Sequence, residues 1–109
     1  MRFRKEGFFL LLLPVMCTVL TATSTAHGGQ ESTLLALYNT VHHFGGLVVA
    51  PGYTDPSKFV DGNPYGTSHV AGQGDIPVDD VARNAAAYQG RRVANVTARL
   101  LAGQVVPVA

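Results

Sequence analysis

The residues able to do chemistry are concentrated in one short stretch, Thr23 to Glu31, which reads T-S-T-A-H-G-G-Q-E. It joins an apolar run, Phe8 to Leu20, to a strongly periodic stretch, Gln30 to His43. A Gly-rich turn between a strand-like run and a helix start leaves backbone N–H groups free, and the helix dipole adds partial positive charge there. Gly28 and Gly29 lack a Cβ, so backbone can lie close against a flat or anionic ligand. Thr23, Ser24 and Thr25 add short hydroxyl donors. Taken alone, the same turn also reads as a polar connector with a helix cap.

The other candidate groups are four histidines, His27, His42, His43 and His69. A metal site needs several of them to converge, with partners that orient the rings. Adjacent side chains on a helix point about 100° apart. His42 and His43 therefore do not share one ion, and no metal is expected. A single cysteine, Cys17, excludes an internal disulfide and a C-x-x-C zinc spacing. There is no G-x-S-x-G elbow, no G-x-G-x-x-G and no G-x-x-x-x-G-K-[ST].

The elements that must position the turn follow from the pattern. Leu34, Leu37, Tyr38 and Val41 fall at i, i+3, i+4 and i+7, which predicts an amphipathic helix over Gln30–His43 ending at Gly45–Gly46. Leu37 sits centrally on its apolar face and is expected in the core. Gly46–Ala50 (G-L-V-V-A) reads as a short strand covered on both faces. Strand, helix and strand make a βαβ unit with a parallel sheet. Pro51–Asp75 reads as a long loop rich in turn residues, with Tyr53, Phe59 and Tyr65 arguing that it is ordered. Pro77–Leu101 reads as a second helix, with Pro77 in its first turn and Asp79 and Asp80 complementing the dipole. Its inner face carries Val78, Val81, Ala82, Ala85, Gln89, Val93, Val96 and Leu100, and Gly90 is expected at a close packing contact. Asn95-Val96-Thr97 matches a glycosylation sequon but lies in this helix.

Residues 1–26 admit two incompatible readings. Arg2, Arg4 and Lys5, then Phe8–Leu20, then Ser24-Thr25-Ala26 have the order of a secretory leader and its cleavage site, which would make the protein a secreted or membrane-anchored small binding protein without redox activity. Alternatively Pro14–Thr23 is a buried strand, with Pro14 at its start and Val15, Cys17, Val19 and Leu20 in a parallel sheet. Cleavage after Ala26 would cut the Gly-rich turn in half. The chain has 109 residues and a formal net charge of +1, so composition offers no case for nucleic acid, and a membrane only if the apolar segment is an anchor.

Five separated motifs then agree on one family. T-S-T-A-H-G-G-Q-E-S-T-L (Thr23–Leu34), H-H-F-G (His42–Gly45), P-G-Y (Pro51–Tyr53), N-P-Y-G-T (Asn63–Thr67) and Y-Q-G (Tyr88–Gly90) occur in the order and at the spacing of WrbA-type flavoproteins. The chain resembles the C-terminal half of these flavodoxin-like NAD(P)H:quinone oxidoreductases. The resemblance implies an α/β fold: an incomplete flavodoxin-like fold, the C-terminal β-α-β-α portion of a parallel sheet with helices on its faces. Residues 1–20 would be an apolar lead-in, 21–103 the C-terminal part of the flavodoxin-like domain, and 104–109 a tail.

The resemblance also implies FMN as cofactor, NAD(P)H as electron donor, a quinone as substrate and a cytoplasmic location. Thr23, Ser24, Thr25, Ala26, His27 and Gly28 would wrap the flavin ring. His43 would face the ring from the helix end as the catalytic histidine, with His42 packed behind Tyr38. The segment Asn63–Thr67 would lie near the flavin and the subunit contacts. The family's first strand and phosphate-binding loop have no counterpart here. The chain therefore reads as truncated, re-started or one half of a split enzyme, assembling with itself or with a chain that supplies the N-terminal half.

Overall fold

The computed structural model describes residues 16–103. The basic start, the apolar run up to Val15 with Pro14, and the tail 104–109 lie outside the described residues. The elements are β1 (Met16–Cys17), β2 (Leu20–Thr23), α1 (Gln30–His43), β3 (Leu47–Val48), α2 (Pro56–Asp61), β4 (Thr67–Val70) and α3 (Asp80–Ala102). The fold is α/β: β1 pairs with β3 and β2 with β4, both in parallel. This is compatible with part of a flavodoxin-like sheet.

The run expected as one strand over Pro14–Thr23 is two strands within the described residues. β1 is in register with Leu47 and Val48, and β2 runs from Leu20 opposite Thr67 to Thr23 opposite Val70. The Cys17 carbonyl accepts from Val49 N–H at 2.7 Å and the Thr23 carbonyl from Ala71 N–H at 2.7 Å. Carbonyls of alternate residues point to the same strand edge. One stretch of backbone is therefore bordered on one edge by β3 and β4 placed end to end. Leu20, expected to be buried, is 63% exposed because its face of β2 is uncovered by any described residue.

The segment expected as loop over Pro51–Asp75 contains α2 and β4. Asp55-Pro56 is a helix start: Pro56 has the fixed φ of a first turn, and the Asp55 carboxylate accepts from Ser57 N–H at 2.9 Å. β4 reads T-S-H-V, too polar and too short for an apolar pattern, and is defined by its pairing to β2.

α1 has the expected bounds. It starts at Gly29, in the left-handed conformation at φ 82°, and ends in a Schellman motif. In that motif Gly46 N–H donates to Val41 O and Gly45 N–H to His42 O, with Gly45 at φ 75°. Leu34 is fully buried and Tyr38 nearly so, but Leu37 is 42% exposed. The inner stripe is therefore narrower than the periodicity suggests, and Leu37 lies at its margin. α3 begins three residues later than expected, at Asp80, because Asp79 is its N-cap, accepting from Ala82 N–H at 2.8 Å. Val78 is then outside the helix and 51% exposed.

The apolar core is small: Leu34, Tyr38, Val49, Ala82 and Ala85. Gly66 and Thr67 show how the layers meet. A Cβ on Gly66 would fall 2.3 Å from Val19 O and 3.0 Å from a Leu34 methyl of α1. Thr67 turns the other way and meets Gln89 of α3. Successive side chains diverge to opposite faces, so the two helices sandwich the sheet here.

Gln89 closes the gap between the two strand pairs. Its Nε2 donates to Thr18 Oγ1 at 2.6 Å and Val19 O at 2.7 Å, while its Oε1 accepts from Thr67 N–H and Thr67 Oγ1, each at 2.7 Å. It is 2% exposed. The neighbouring Gly90 is exposed, and a Cβ there would meet nothing within 4 Å, so it does not mark close packing.

These adjacent residues give opposite expectations in one denaturation experiment. Gln89→Leu orphans the buried Thr67 N–H and Val19 C=O and should lower stability by about 2–6 kcal/mol. Gly90→Ala removes backbone freedom from the unfolded chain at an open position and should raise stability by up to about 1 kcal/mol. Urea midpoints moving together, or in the reverse order, would contradict this packing.

Candidate functional site

The turn between β2 and α1 is organised around one carbonyl. Thr25 O accepts from Gly28 N–H at 3.1 Å, Thr23 Oγ1 at 2.9 Å and Gln30 Nε2 at 3.1 Å. Gln30 Nε2 also reaches Ala26 O at 3.0 Å. The side chain of the first helical residue thus folds back over the turn. Gly28 is required sterically, since a Cβ there would fall 2.8 Å from Thr23 Cβ and 3.1 Å from Thr25 O.

Beside this turn is an open cleft of about 530 Å³. One wall is Ala26, His27 and the first turn of α1, from Gly29 to Ser32; the other is Asp61, Gly62, Asn63 and Ser68. The second wall is polar and internally bonded. Asn63 Nδ2 donates to Ser68 Oγ at 3.1 Å and Asn63 Oδ1 accepts from Tyr65 N–H at 3.2 Å. Tyr38 of α1 donates its hydroxyl to Tyr65 O, tying this loop to the helix core. Among the described residues no lysine or arginine lines the cleft. Its lining carries Glu31 and an Asp61 carboxylate ion-paired to Lys58, beside the N-terminal end of α1.

Of the residues expected to wrap a flavin ring, Ala26 and His27 line the cleft. Thr23, Ser24, Thr25 and Gly28 form the turn itself, with Ser24 to Gly28 exposed. His43 is not with them. It ends the 14-residue helix whose other end carries the turn, so the two are about 20 Å apart at 1.5 Å per residue. Its ring is exposed and meets Phe44 edge-on at 5.0 Å. His42 is also exposed, which corrects the expectation that it packs behind Tyr38: it lies on the last turn of α1, beyond the buried Leu34–Tyr38 stripe. His69 lies apart from both, its Nε2 2.9 Å from Ile76 O. Among the described residues no three His, Cys, Asp or Glu side chains group as metal ligands, and no helix is long and apolar enough to cross a membrane.

Sequence reasoning passed over Gln30, Asp61 and Ser68. Only Gln30 carried a signal, as the polar residue after the paired glycines. The other two face the cleft because α2 and β4 bring distant segments together.

Comparison with known proteins gives the following. No family model matches the chain. The chain is 40% identical over 89 residues to a protein named NAD(P)H dehydrogenase (quinone) from Geotalea uraniireducens, covering 76% of this chain and 44% of the relative. It is 40% identical over 85 residues to one so named from Deinococcus radiodurans, covering 77% of this chain and 42% of that protein. It is 36% identical over 93 residues to another from Aromatoleum aromaticum, covering 80% and 45%. The resemblance carried by the five motifs is thus matched by curated relatives, which are consistent with a WrbA-type C-terminal portion. The chain spans less than half the length of the relatives it matches.

The start of α2, which leads into the second wall, is capped by the Asp55 carboxylate. Hydrogen bonds from the Ser57 hydroxyl, then from Ser57 N–H, hold the Asp55 carboxyl below its ordinary value of 3.8. A carboxyl lowered on folding contributes stability that is complete above the unfolded value and is lost as pH falls through the folded one. Protection of the α2 amides against hydrogen exchange should therefore be flat above about pH 5 and fall only below 3.8, and Asp55→Asn should flatten that fall.

Proposed function

We propose that this chain supplies the flavin-ring side of an FMN-dependent NAD(P)H:quinone oxidoreductase, with residues 21–103 as the C-terminal part of a flavodoxin-like domain. The observation that carries the proposal is the Thr23–Gly28 turn. It is folded around the Thr25 carbonyl at the N-terminal end of α1 and borders an open cleft. The name shared by the relatives, NAD(P)H dehydrogenase (quinone), supports the same reading. A cytoplasmic location, where NAD(P)H is at hand, goes with it.

The residues present fit one end of the cofactor. A cleft of about 530 Å³ is within the range that takes a ring system of flavin size. The backbone of Ser24–His27 and the short hydroxyls of Ser24 and Thr25 offer hydrogen bonds to a ring edge that becomes electron-rich on reduction, while the Thr23 hydroxyl is already donated to Thr25 O. The glycine at position 28 lets the backbone turn tightly beneath it. When bound, FMN relays hydride from the nicotinamide to the quinone. For the phosphate end, the described residues place no lysine or arginine in the cleft. Thr23–Gly28 therefore hold and orient the ring, and phosphate recognition belongs to another segment or partner.

His43 enters through assembly. With the turn and His43 at opposite ends of α1, one copy cannot place both on the same ring. In a homo-oligomer, His43 of one copy reaches the ring held by the turn of another, where its imidazole donates a proton or a hydrogen bond to the quinone oxygen. Its exposure at the helix end leaves it free for that role.

The test is titration of the purified chain with riboflavin and with FMN, followed by flavin fluorescence. The two should bind weakly and within about threefold of each other, because the charge-assisted phosphate contacts worth about 1.5–3 kcal/mol each are missing. FMN binding a hundredfold more tightly would contradict the ring-side assignment. In an assembly that reduces quinones with NADH or NADPH, His43→Ala should lower turnover roughly tenfold to a hundredfold with flavin affinity unchanged. His42→Ala should leave both unchanged, and an intact rate in His43→Ala would remove it from the mechanism.

A further inference from the structure

Lys58 is a charged side chain with no exposed surface, lying on a helix of only six residues. Its neighbours on α2, Phe59 and Val60, are 68% and 69% exposed, and Lys58 is the one buried residue of this helix. Its ammonium is ion-paired with the Asp61 carboxylate, itself 3% exposed, and donates to Gly66 O at 3.3 Å. Asp61 Oδ2 in turn accepts from Asn63 N–H at 3.3 Å. Asp61, Gly62 and Asn63 form the cleft wall facing the Thr23–Gly28 turn. Gly66 sits against Val19 of the sheet, where not even a methyl group fits. One ammonium therefore ties the wall of the cleft to the Gly66 backbone, which packs closely on Val19.

We infer that Lys58 is a positioning residue for the Asp61–Asn63 wall, and through it for a flavin ring seated beside the Thr23–Gly28 turn. It touches no ligand itself. Without it a buried carboxylate is left unpaired, and the wall loses its link to Gly66. Among the described residues the other bonds of this wall are neutral: Asn63 Nδ2 donates to Ser68 Oγ of β4 and Asn63 Oδ1 accepts from Tyr65 N–H, so Lys58 supplies the wall's charged link. The inference rests on the flavin reading above for the identity of the ligand, but the tether is a property of this chain.

The test uses the full chain with Lys58→Met. Hydrogen exchange is read at Asn63 and Tyr65, and riboflavin affinity by fluorescence. The expected result is at least tenfold faster exchange at those two amides with α1 and α3 unchanged, and riboflavin binding at least tenfold weaker. Val49→Ala, a core truncation away from the wall, should leave riboflavin affinity within twofold. Unchanged exchange at Asn63 and Tyr65 in Lys58→Met would overturn the inference. So would faster exchange with unaltered riboflavin affinity, or an equal loss of affinity in Val49→Ala. If Lys58→Met does not fold, Asp61→Asn, which removes the same ion pair with little change of shape, is read by the same criteria. If the unaltered chain binds no riboflavin, the flavin reading fails, and the exchange rates alone decide whether Lys58 holds the wall.

Discussion

Gln89 stands where two parallel strand pairs fail to join, and the geometry of the sheet depends on its carboxamide. The gap presents a carbonyl from Val19 and an N–H from Thr67, and closing it takes a donor and an acceptor on one short planar group. Glutamine has both, and α3 brings it to the gap fully desolvated. An apolar residue would leave both backbone groups unpaired, and a charged one would match only one of them. The same turn of α3 secures the chain on either side. Tyr88 bonds through its hydroxyl to Thr54 Oγ1 at 2.6 Å, and Arg92 Nε donates to Ala50 O at 3.0 Å. One helical turn therefore anchors the excursion between β3 and β4.

That excursion is held by polar contacts because it has little apolar mass to bury. Pro51 and Lys58 are fully buried within it. Tyr53 and Phe59 stack on each other at 4.9 Å and stay largely exposed. Directional bonds do what a core would do elsewhere: Tyr38 to Tyr65, Lys58 to Asp61 and Gly66, and Asn63 to Ser68. Such bonds contribute little net stability but fix position sharply, since each buried group left unpaired is costly. A cleft wall built this way has a defined shape without depending on a large core.

α1 acts as a spacer. Its left-handed Gly29 start and its Schellman end are both set by glycines, so its length is determined by local backbone chemistry. That length separates the Gly-rich turn from His43 by about 20 Å. A helix of this kind cannot bring its own two ends to one small ligand.

The sequence by itself determined what depends on neighbours along the chain. α1 was legible to the residue because period, start and stop are local signals. The parallel βαβ arrangement followed from two short apolar runs around it, and the resemblance to quinone-reducing relatives from motifs at fixed spacing. Local chemistry at Asp55-Pro56 and Asp79 also specified two helix starts, although the apolar pattern obscured them. Tertiary structure decided the rest. β4 is polar and is a strand only because β2 pairs with it. Leu37 and Leu20 are exposed because burial depends on what lies opposite, which periodicity does not contain. The roles of Gln89 and Lys58 join segments far apart in the chain, from Thr18 to Gln89 and from Lys58 to Gly66, and a polar residue on an apolar stripe carries no mark of its partners. The separation of His43 from the turn is the plainest case: both motifs are in the sequence, but only a folded helix keeps them apart.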